Sequence, residues 1–552
     1  MNEPLVTDVL ADAFRAEGVD AVFTLMGDAN MFWSIAMKQR GASLFHARHE
    51  HSAVGMADGY ARATGQVGVG SVTSGPGFTQ IMTALTVAVR ARTPMVIFAG
   101  DTAMTSGFHI QEMDQKPLTV ATGAGFRPMR RIERVLDDVK EAFYLARKER
   151  IPVVLSVPAD LQRQKFGLMG DYVTSRDALP KPQRMLPDPS IVDEVAALVA
   201  EARQPIIIAG RGAVRAAAAD EIRKLALTCG ALLATSLPAK GLFDGEPYSI
   251  GVAGAFSSNL ARELFSEADL VVAVGASLGH YTTEGGYLYP NAKVVQIDSS
   301  PQGLWQGLRT ADIHMAADAR AGIVAINEEL KKRGLRSSGY HSEELRARLA
   351  ADMPDTKQYP EEVGIFDPRR ALVEIDGLIP KDWAVVAGSG HCFNFVATHL
   401  KGRLPTNYFM VTDFGTIGQA LTTAIGVAAA RGDGKVVLFQ GDGSLLMHIQ
   451  ELELMSRQGI KLLICALNDG AYSSEVHMLK AKGYDPAESI FGRTDLAAVA
   501  RAFGIEGRSV SPGPDLSRDV RDYVANPRPM LLDIPIAGFP SAQYRRLHFG
   551  EI

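Results

Sequence analysis

Short apolar runs rich in β-branched residues recur along this chain, and helical spacing fills the stretches between them. The runs include GVDAVFTLMG from Gly18, TPMVIFAGD from Thr93, QPIIIAG from Gln204, ADLVVAVGAS from Ala268, KVVLFQGDG from Lys435 and RPMLLDIPI from Arg528. Strands that alternate with helices run parallel, because each helix carries the chain back to the starting edge of the sheet. Near-continuous apolar strands indicate a sheet covered on both faces. Two stretches break the pattern: LPKPQRMLPDPS, Leu179 to Ser190, and the charged, polar segment from Lys331 to Glu362. They divide the 552 residues into three successive parallel-sheet α/β domains, expected at 1–180, 190–340 and 360–552, a count that suits the length. Ser190 is expected to cap the first helix of the second unit, with Asp193 as a variant capping box.

Gly-Asp-Gly occurs at 432–434 and again at 441–443, and the flanking residues separate the two copies. Asp433 lies between an Ala-rich helical stretch and an apolar run, which makes it a surface turn. Asp442 follows the strand KVVLF and precedes SLLMHIQELELMSRQG, which reads as a helix. It therefore sits where the C-terminal edge of a parallel sheet meets a helix start, the usual ligand position in such folds. Free N–H groups there favour phosphate oxygens, and a carboxylate beside phosphate calls for a divalent cation such as magnesium. Asp469 ends the next strand, IKLLICAL, and reaches the same edge; the Ala471 carbonyl is a third candidate oxygen. Two capping or turn aspartates would give the same pattern.

The remaining composition narrows the class. A net charge of −5 without a Lys/Arg-rich stripe argues against a nucleic-acid partner. Three cysteines, none in a Cys-x-x-Cys pair, indicate a reduced compartment. The first residues read as an amphipathic helix and no apolar stretch reaches a membrane span, so no membrane association and a cytoplasmic location are expected.

Gly441-Asp442-Gly443 with LNDGAY after it resembles the C-terminal motif of thiamin-diphosphate-dependent enzymes, the group of acetolactate synthases, pyruvate and benzoylformate decarboxylases and related carboligases. The resemblance implies thiamin diphosphate and Mg²⁺ as cofactors, with Asp442, Asp469 and the Ala471 carbonyl on the metal and Gly441, Gly443 and Ser444 about the diphosphate. The family more often has Asn where Asp469 stands. GSGH, ending in Gly390 and His391, resembles the diphosphate-contacting loop. DFGTIG resembles the loop whose glycine carbonyl, here Gly415, meets the aminopyrimidine and whose bulky residue, here Ile417, bends the cofactor. FHARHEHSAVGMADGYARATG, from Phe45, resembles the family's RHE segment and makes Glu50 the acid at the pyrimidine. His49 and His51 beside it lack zinc-ligand spacing. Because Glu50 and Asp442 lie in different domains, the resemblance implies active sites at subunit interfaces of a homodimer or homotetramer. In the family the middle domain holds FAD, ADP or nothing; GRGAVR from Gly210 lacks the third glycine of a dinucleotide fingerprint, and a structural role is expected.

The resemblance implies formation of a C2 ylid and, after a 2-oxo acid loses CO₂, an enamine that is protonated or ligated. Acetolactate synthases resemble this chain around FHIQEMDQ, yet their substrate-holding arginine run is replaced here by GASLGHYTTEGG and their Gly-Met-Val-x-x-Trp by SSEVHML. Asp28 and Glu475 fall where pyruvate-decarboxylase-like enzymes carry active-site acids. The histidine pair of those enzymes is reduced to His109, and Gln111 is placed to hydrogen-bond the intermediate. For Asp28 and Glu475 the alternatives are a helix cap and a solvated side chain. The expected function is a 2-oxo-acid decarboxylase/carboligase acting on a small carbonyl substrate. Acetolactate-synthase-like acyl transfer, lyase or hydrolase action on a 2-hydroxy-ketone, diketone or 2-hydroxyacyl-CoA, and a non-catalytic homologue are the alternatives.

Overall fold

The structure is a computed structural model that describes residues 3–167, 171–181, 183–301, 311–337 and 339–551; Pro182 and Ser338 of the two expected linkers lie outside the described residues. Three six-stranded sheets follow one another along the chain, and every strand pair in them is parallel. The first runs in space Ser43–His46, Ala21–Thr24, Gly68–Val72, Met95–Asp101, Pro152–Pro158, Gly125–Pro128. The second runs Ile313–Ala316, Lys293–Asp298, Leu270–Val274, Pro205–Ala209, Leu232–Thr235, Ser249–Val252. The third runs Tyr408–Val411, Ala384–Gly388, Val436–Gly441, Leu462–Asn468, Pro529–Pro535, Glu506–Ser509. In this last sheet the chain steps outward from Ala384–Gly388 to Tyr408–Val411 and then returns across to Val436–Gly441. That reversal opens a crevice beyond the carboxyl ends of Ala384–Gly388 and Val436–Gly441.

The first and third units share one core. The helix Glu50–Thr64 crosses Gln419–Arg431 at backbone distance, because Gly55, Gly59 and Gly426 carry no side chain at the crossing. A Cβ on Gly59 would collide with the Thr423 carbonyl, and one on Gly426 with that of Met56. Ala53, Ala57, Leu421 and Ile425 are fully buried in the resulting cluster. Arg62 donates to Asp58 of its own helix at 2.9 Å and to Asp413, ahead of the crossing helix in the third unit, at 3.0 Å. Arg211 of the middle unit reaches Asp413 at 3.4 Å.

Two local expectations are corrected. Asp188, not Ser190, caps the helix Pro189–Glu201: the Ser190 N–H donates to Asp188 Oδ1 at 2.8 Å and Pro189 occupies the first turn, where its missing donor costs nothing. The helix expected after Gly443 is two helices, Asp442–Leu446 and Glu451–Gln458, with a turn between. Tertiary contacts hold that turn. His448 stacks on His51 at 4.4 Å, and the Arg48 N–H donates to the fully buried Glu451 carboxylate at 3.0 Å.

Asp433 does occupy a turn, where it accepts from the Lys435 N–H at 3.0 Å. Cys229, Cys392 and Cys465 are free and buried. No helix among the described residues is long and apolar enough to cross a membrane.

Candidate active site

Asp442 and Asp469 leave the third sheet side by side. Their strands are adjacent and parallel, with Gly441 opposite Leu467, so both aspartates emerge at one edge. Asp442 opens the helix Asp442–Leu446, is 1% exposed, and accepts from the Gly470 N–H at 3.1 Å. Asp469 accepts from the Ser473 hydroxyl at 2.6 Å. Burial first, then the charge of Asp469, raises the Asp442 pKa; burial raises that of Asp469. Among the described residues neither carboxylate has an ion-pair partner. Asp442 is buried, Asp469 is half-buried with only the more distant Arg493 easing its charge, and two like charges so placed are costly. Hard oxygen ligands beside a helix start suit a divalent cation that also binds phosphate. Among the described residues no group of three or more His, Cys, Asp or Glu could hold a metal, so backbone or ligand oxygens must complete any shell here. The residues present fit that demand, and the Ala471 carbonyl lies in the adjoining turn.

A cleft of about 790 Å³ opens over the pair. Gly390, His391, Gly415, Ile417, Gly441, Gly443, Ser444, Ala471 and Glu475 all line it, together with both aspartates. Gly390 has φ +114° and Gly415 φ +69°, conformations that favour glycine. A Cβ at Gly443 would lie 2.7 Å from the Tyr472 ring, so only glycine fits there. Ser444 Oγ accepts from the Gly418 N–H at 2.8 Å and from Gln440 Nε2 at 2.6 Å, which leaves its hydroxyl hydrogen to donate. His391 Nε2 accepts the Ser541 N–H at 3.1 Å. Burial holds this imidazole well below its ordinary pKa, so it is neutral and carries its proton on Nδ1. Burial and the two aspartates push the Cys392 thiol up to about 12, which rules out a resting thiolate. Ile417 is half-buried on the cleft wall instead of in the core, and Glu475 is exposed to the cleft from the first turn of Ser473–Ala481.

The other expected residues gather elsewhere, at the carboxyl edge of the first sheet. Glu50 opens its helix, and its Oε1 lies 3.2 Å from where a Gly77 Cβ would stand. Thr73 fills the gap between Gly27 and Gly77. The Ser74 hydroxyl donates to Gln111 Oε1 at 2.9 Å, and the Gln111 N–H donates to His109 Nδ1 at 3.1 Å. Asp28 is exposed beside this group, and it is no cap: the adjacent helix begins after Asn30. None of Asp28, Glu50, His109 and Gln111 lines the cleft over Asp442 in the same chain. Within one chain the two groups of expected residues thus stand apart.

Sequence reasoning missed part of the cleft wall. Tyr281 and Thr282 enter it from the middle unit, out of the segment GASLGHYTTEGG. Tyr544, Leu547 and His548 enter from the C-terminal helix Ala542–Phe549, which carried no motif. In the middle unit, Gly210 packs against the Gly275–Ala276 backbone so closely that a Cβ on it would clash.

Three family models match the chain in order. They are the thiamine pyrophosphate enzyme N-terminal TPP binding domain over residues 5–118, its central domain over 192–326, and its C-terminal TPP binding domain over 388–534. The chain is 26% identical to the probable acetolactate synthase large subunit of Methanocaldococcus jannaschii, over 96% of this chain and 91% of that protein. It is 28% identical to the acetolactate synthase large subunit of Parasynechococcus marenigrum, over 96% and 86%. It is likewise 28% identical to acetolactate synthase isozyme 2 large subunit of Escherichia coli, over 95% and 94%. With the three α/β units and the order of the matched domains in agreement, the chain belongs to the thiamin-diphosphate-binding enzyme family that includes acetolactate synthase and related carboligases.

Proposed function

We propose that the chain decarboxylates a 2-oxo acid and then releases the remaining acyl unit as an aldehyde or ligates it to a second carbonyl. One observation carries this reading: the buried Asp442 and the half-buried Asp469, neither in an ion pair among the described residues, share a cleft with Gly415, Ile417 and Glu475. When bound, thiamin diphosphate supplies the electron sink for cleaving the bond beside the substrate carbonyl. Asp442, Asp469 and the Ala471 carbonyl would hold Mg²⁺, while Ser444 and His391 Nδ1–H would donate to phosphate oxygens. Glu50 would hold and return a proton at the pyrimidine ring, an assignment that requires a second subunit to bring it over the cleft. The subunit state is thus part of the proposal: at least a homodimer with sites shared between chains. Glu475, close to the reacting carbon, would oppose a lingering carboxylate there and favour loss of CO₂. Asp28, His109 and Gln111 would stand on the partner's side of the same space. The middle unit is read as scaffold, because Gly210 is spent on backbone packing instead of on a nucleotide.

Acetolactate-type transfer is the second reading, favoured by the names of the relatives. Against it, the middle-unit loop brings Tyr281 and Thr282 into the cleft, and no Lys or Arg is among the described residues lining it. An acceptor carboxylate would find no cation on this wall. Assaying CO₂ release from pyruvate, branched-chain and aromatic 2-oxo acids, with and without acceptor aldehydes, tests the proposal. Release with aldehyde or mixed-ketol products supports it; acetolactate as the sole product would favour the second reading.

A further inference from the structure

The inference here rests on the decarboxylase reading and names its substrate class. The wall beside Glu475 comes from two segments, the loop at Tyr281, which lacks the family's arginine run, and the C-terminal helix Ala542–Phe549, which no motif marks. That helix is fixed at three points. The Ser541 N–H donates to His391 Nε2 at 3.1 Å, the Tyr544 hydroxyl donates to Ser474 Oγ at 2.7 Å, and the buried Arg545 pairs with Asp355 at 2.8 Å. One tie reaches the loop at the diphosphate end and another reaches the residue next to Glu475, so the wall is held in register with the catalytic groups.

Beside the polar Thr282, Gln543 and His548, this fixed wall carries large apolar side chains that lie bare. Tyr281 is 70% exposed, Leu547 60% and Met478 43%, all facing the cleft. The charges present are acidic: Asp442, Asp469 and Glu475 line the cleft, with no Lys or Arg among its described lining residues. A second carboxylate or a phosphate on the substrate would be desolvated there without a cation. A methyl side chain would leave the apolar wall uncovered, whereas a large neutral one would cover it. We infer that the substrate is a 2-oxo acid with a bulky uncharged side chain, branched aliphatic or aromatic, seated against Leu547, Tyr544 and Tyr281.

The test is CO₂ release by the holoenzyme from pyruvate, 4-methyl-2-oxopentanoate, phenylglyoxylate and 2-oxoglutarate. The two bulky neutral acids should exceed pyruvate in kcat/KM by roughly tenfold or more, with 2-oxoglutarate poorest. Leu547→Ala should lower the ratio of bulky acid to pyruvate about tenfold. Tyr281→Ala, on a different unit, should lower it too, so that poor folding of the C-terminal helix cannot mimic the effect. A preference for pyruvate or 2-oxoglutarate, or a ratio unchanged in both variants, overturns the inference and leaves the decarboxylase reading standing. No CO₂ from any of the four acids overturns that reading, and the inference with it.

Discussion

Asp442 and Asp469 differ in what each can lose. Asparagine keeps an oxygen ligand at 469 and removes one of two like charges whose burial raises both pKa values. Asp469→Asn should therefore raise the melting temperature of the protein in chelator while retaining Mg²⁺-dependent cofactor binding, read by thermal shift and by titration. Asp442→Ala removes a ligand from the helix start and should weaken that binding by roughly 10- to 100-fold or more. If both variants bound cofactor equally without Mg²⁺, the metal assignment would fail. Glu50 acts through a proton. Glu50→Gln should leave cofactor affinity nearly intact yet slow proton exchange at the reactive carbon of the bound cofactor by roughly a hundredfold or more. Unchanged exchange would remove Glu50 from the chemistry. At this scale the sequence was legible where a loop carries its own glycines, as at 441–443, because the requirement is local. It marked GASLGHYTTEGG as standing in a substrate-holding place without singling out Tyr281, and it was silent on Leu547, which reaches the cleft only through folding and leaves no periodic mark.

The crossing of Glu50–Thr64 and Gln419–Arg431 is the element that joins first unit to third. Gly59→Ala forces a methyl onto the Thr423 carbonyl and should cost about 1–3 kcal/mol by overpacking. Gly65→Ala has open space but keeps φ +70°, so its cost, about 1 kcal/mol, is purely conformational. Urea denaturation of the two variants separates these causes, and a smaller loss for Gly59→Ala would refute the close crossing.

Nearby, burial raises the Glu451 pKa to about 7 from an ordinary 4.5, against the Arg48 N–H that it accepts. Between these values the folded chain holds a proton that the unfolded chain has released. Its stabilisation is therefore full below about 4.5 and is lost as pH rises through 7. His51 and His448 act oppositely. Burial lowers them to about 3 and about 4, so their contribution is full above the ordinary 6.5 and is lost as pH falls toward those values. Glu451→Gln should narrow the loss of urea resistance between pH 5 and pH 8; an unaltered pH slope would show that the carboxyl stays ionised. The strands of this region were legible as apolar runs. The break at 447–450 was not, since SLLMHIQELELMSRQG keeps helical spacing throughout and only docking against His51 and Arg48 interrupts it.

For the whole molecule, the three sheets and their order followed from alternating patterns, but the fusion of the first and third cores did not. Small residues at Gly55, Gly59 and Gly426 look alike whether a helix faces its own sheet or another unit. That fusion holds the Glu50 edge and the Asp442 edge of one chain in fixed relation, with no described residue of the first unit lining the cleft over Asp442. The proposal to be tested is that a complete site takes Glu50 from one chain and Asp442 from its partner. The most direct measurement is complementation, with Glu50→Gln and Asp442→Ala chains each inactive alone, co-expressed in equal amounts and assayed for CO₂ release. Random pairing should restore about a quarter of the wild-type activity per site, because half of the dimers are mixed and each mixed dimer contains one intact site. No recovery from mixed dimers isolated with two different tags would contradict the account.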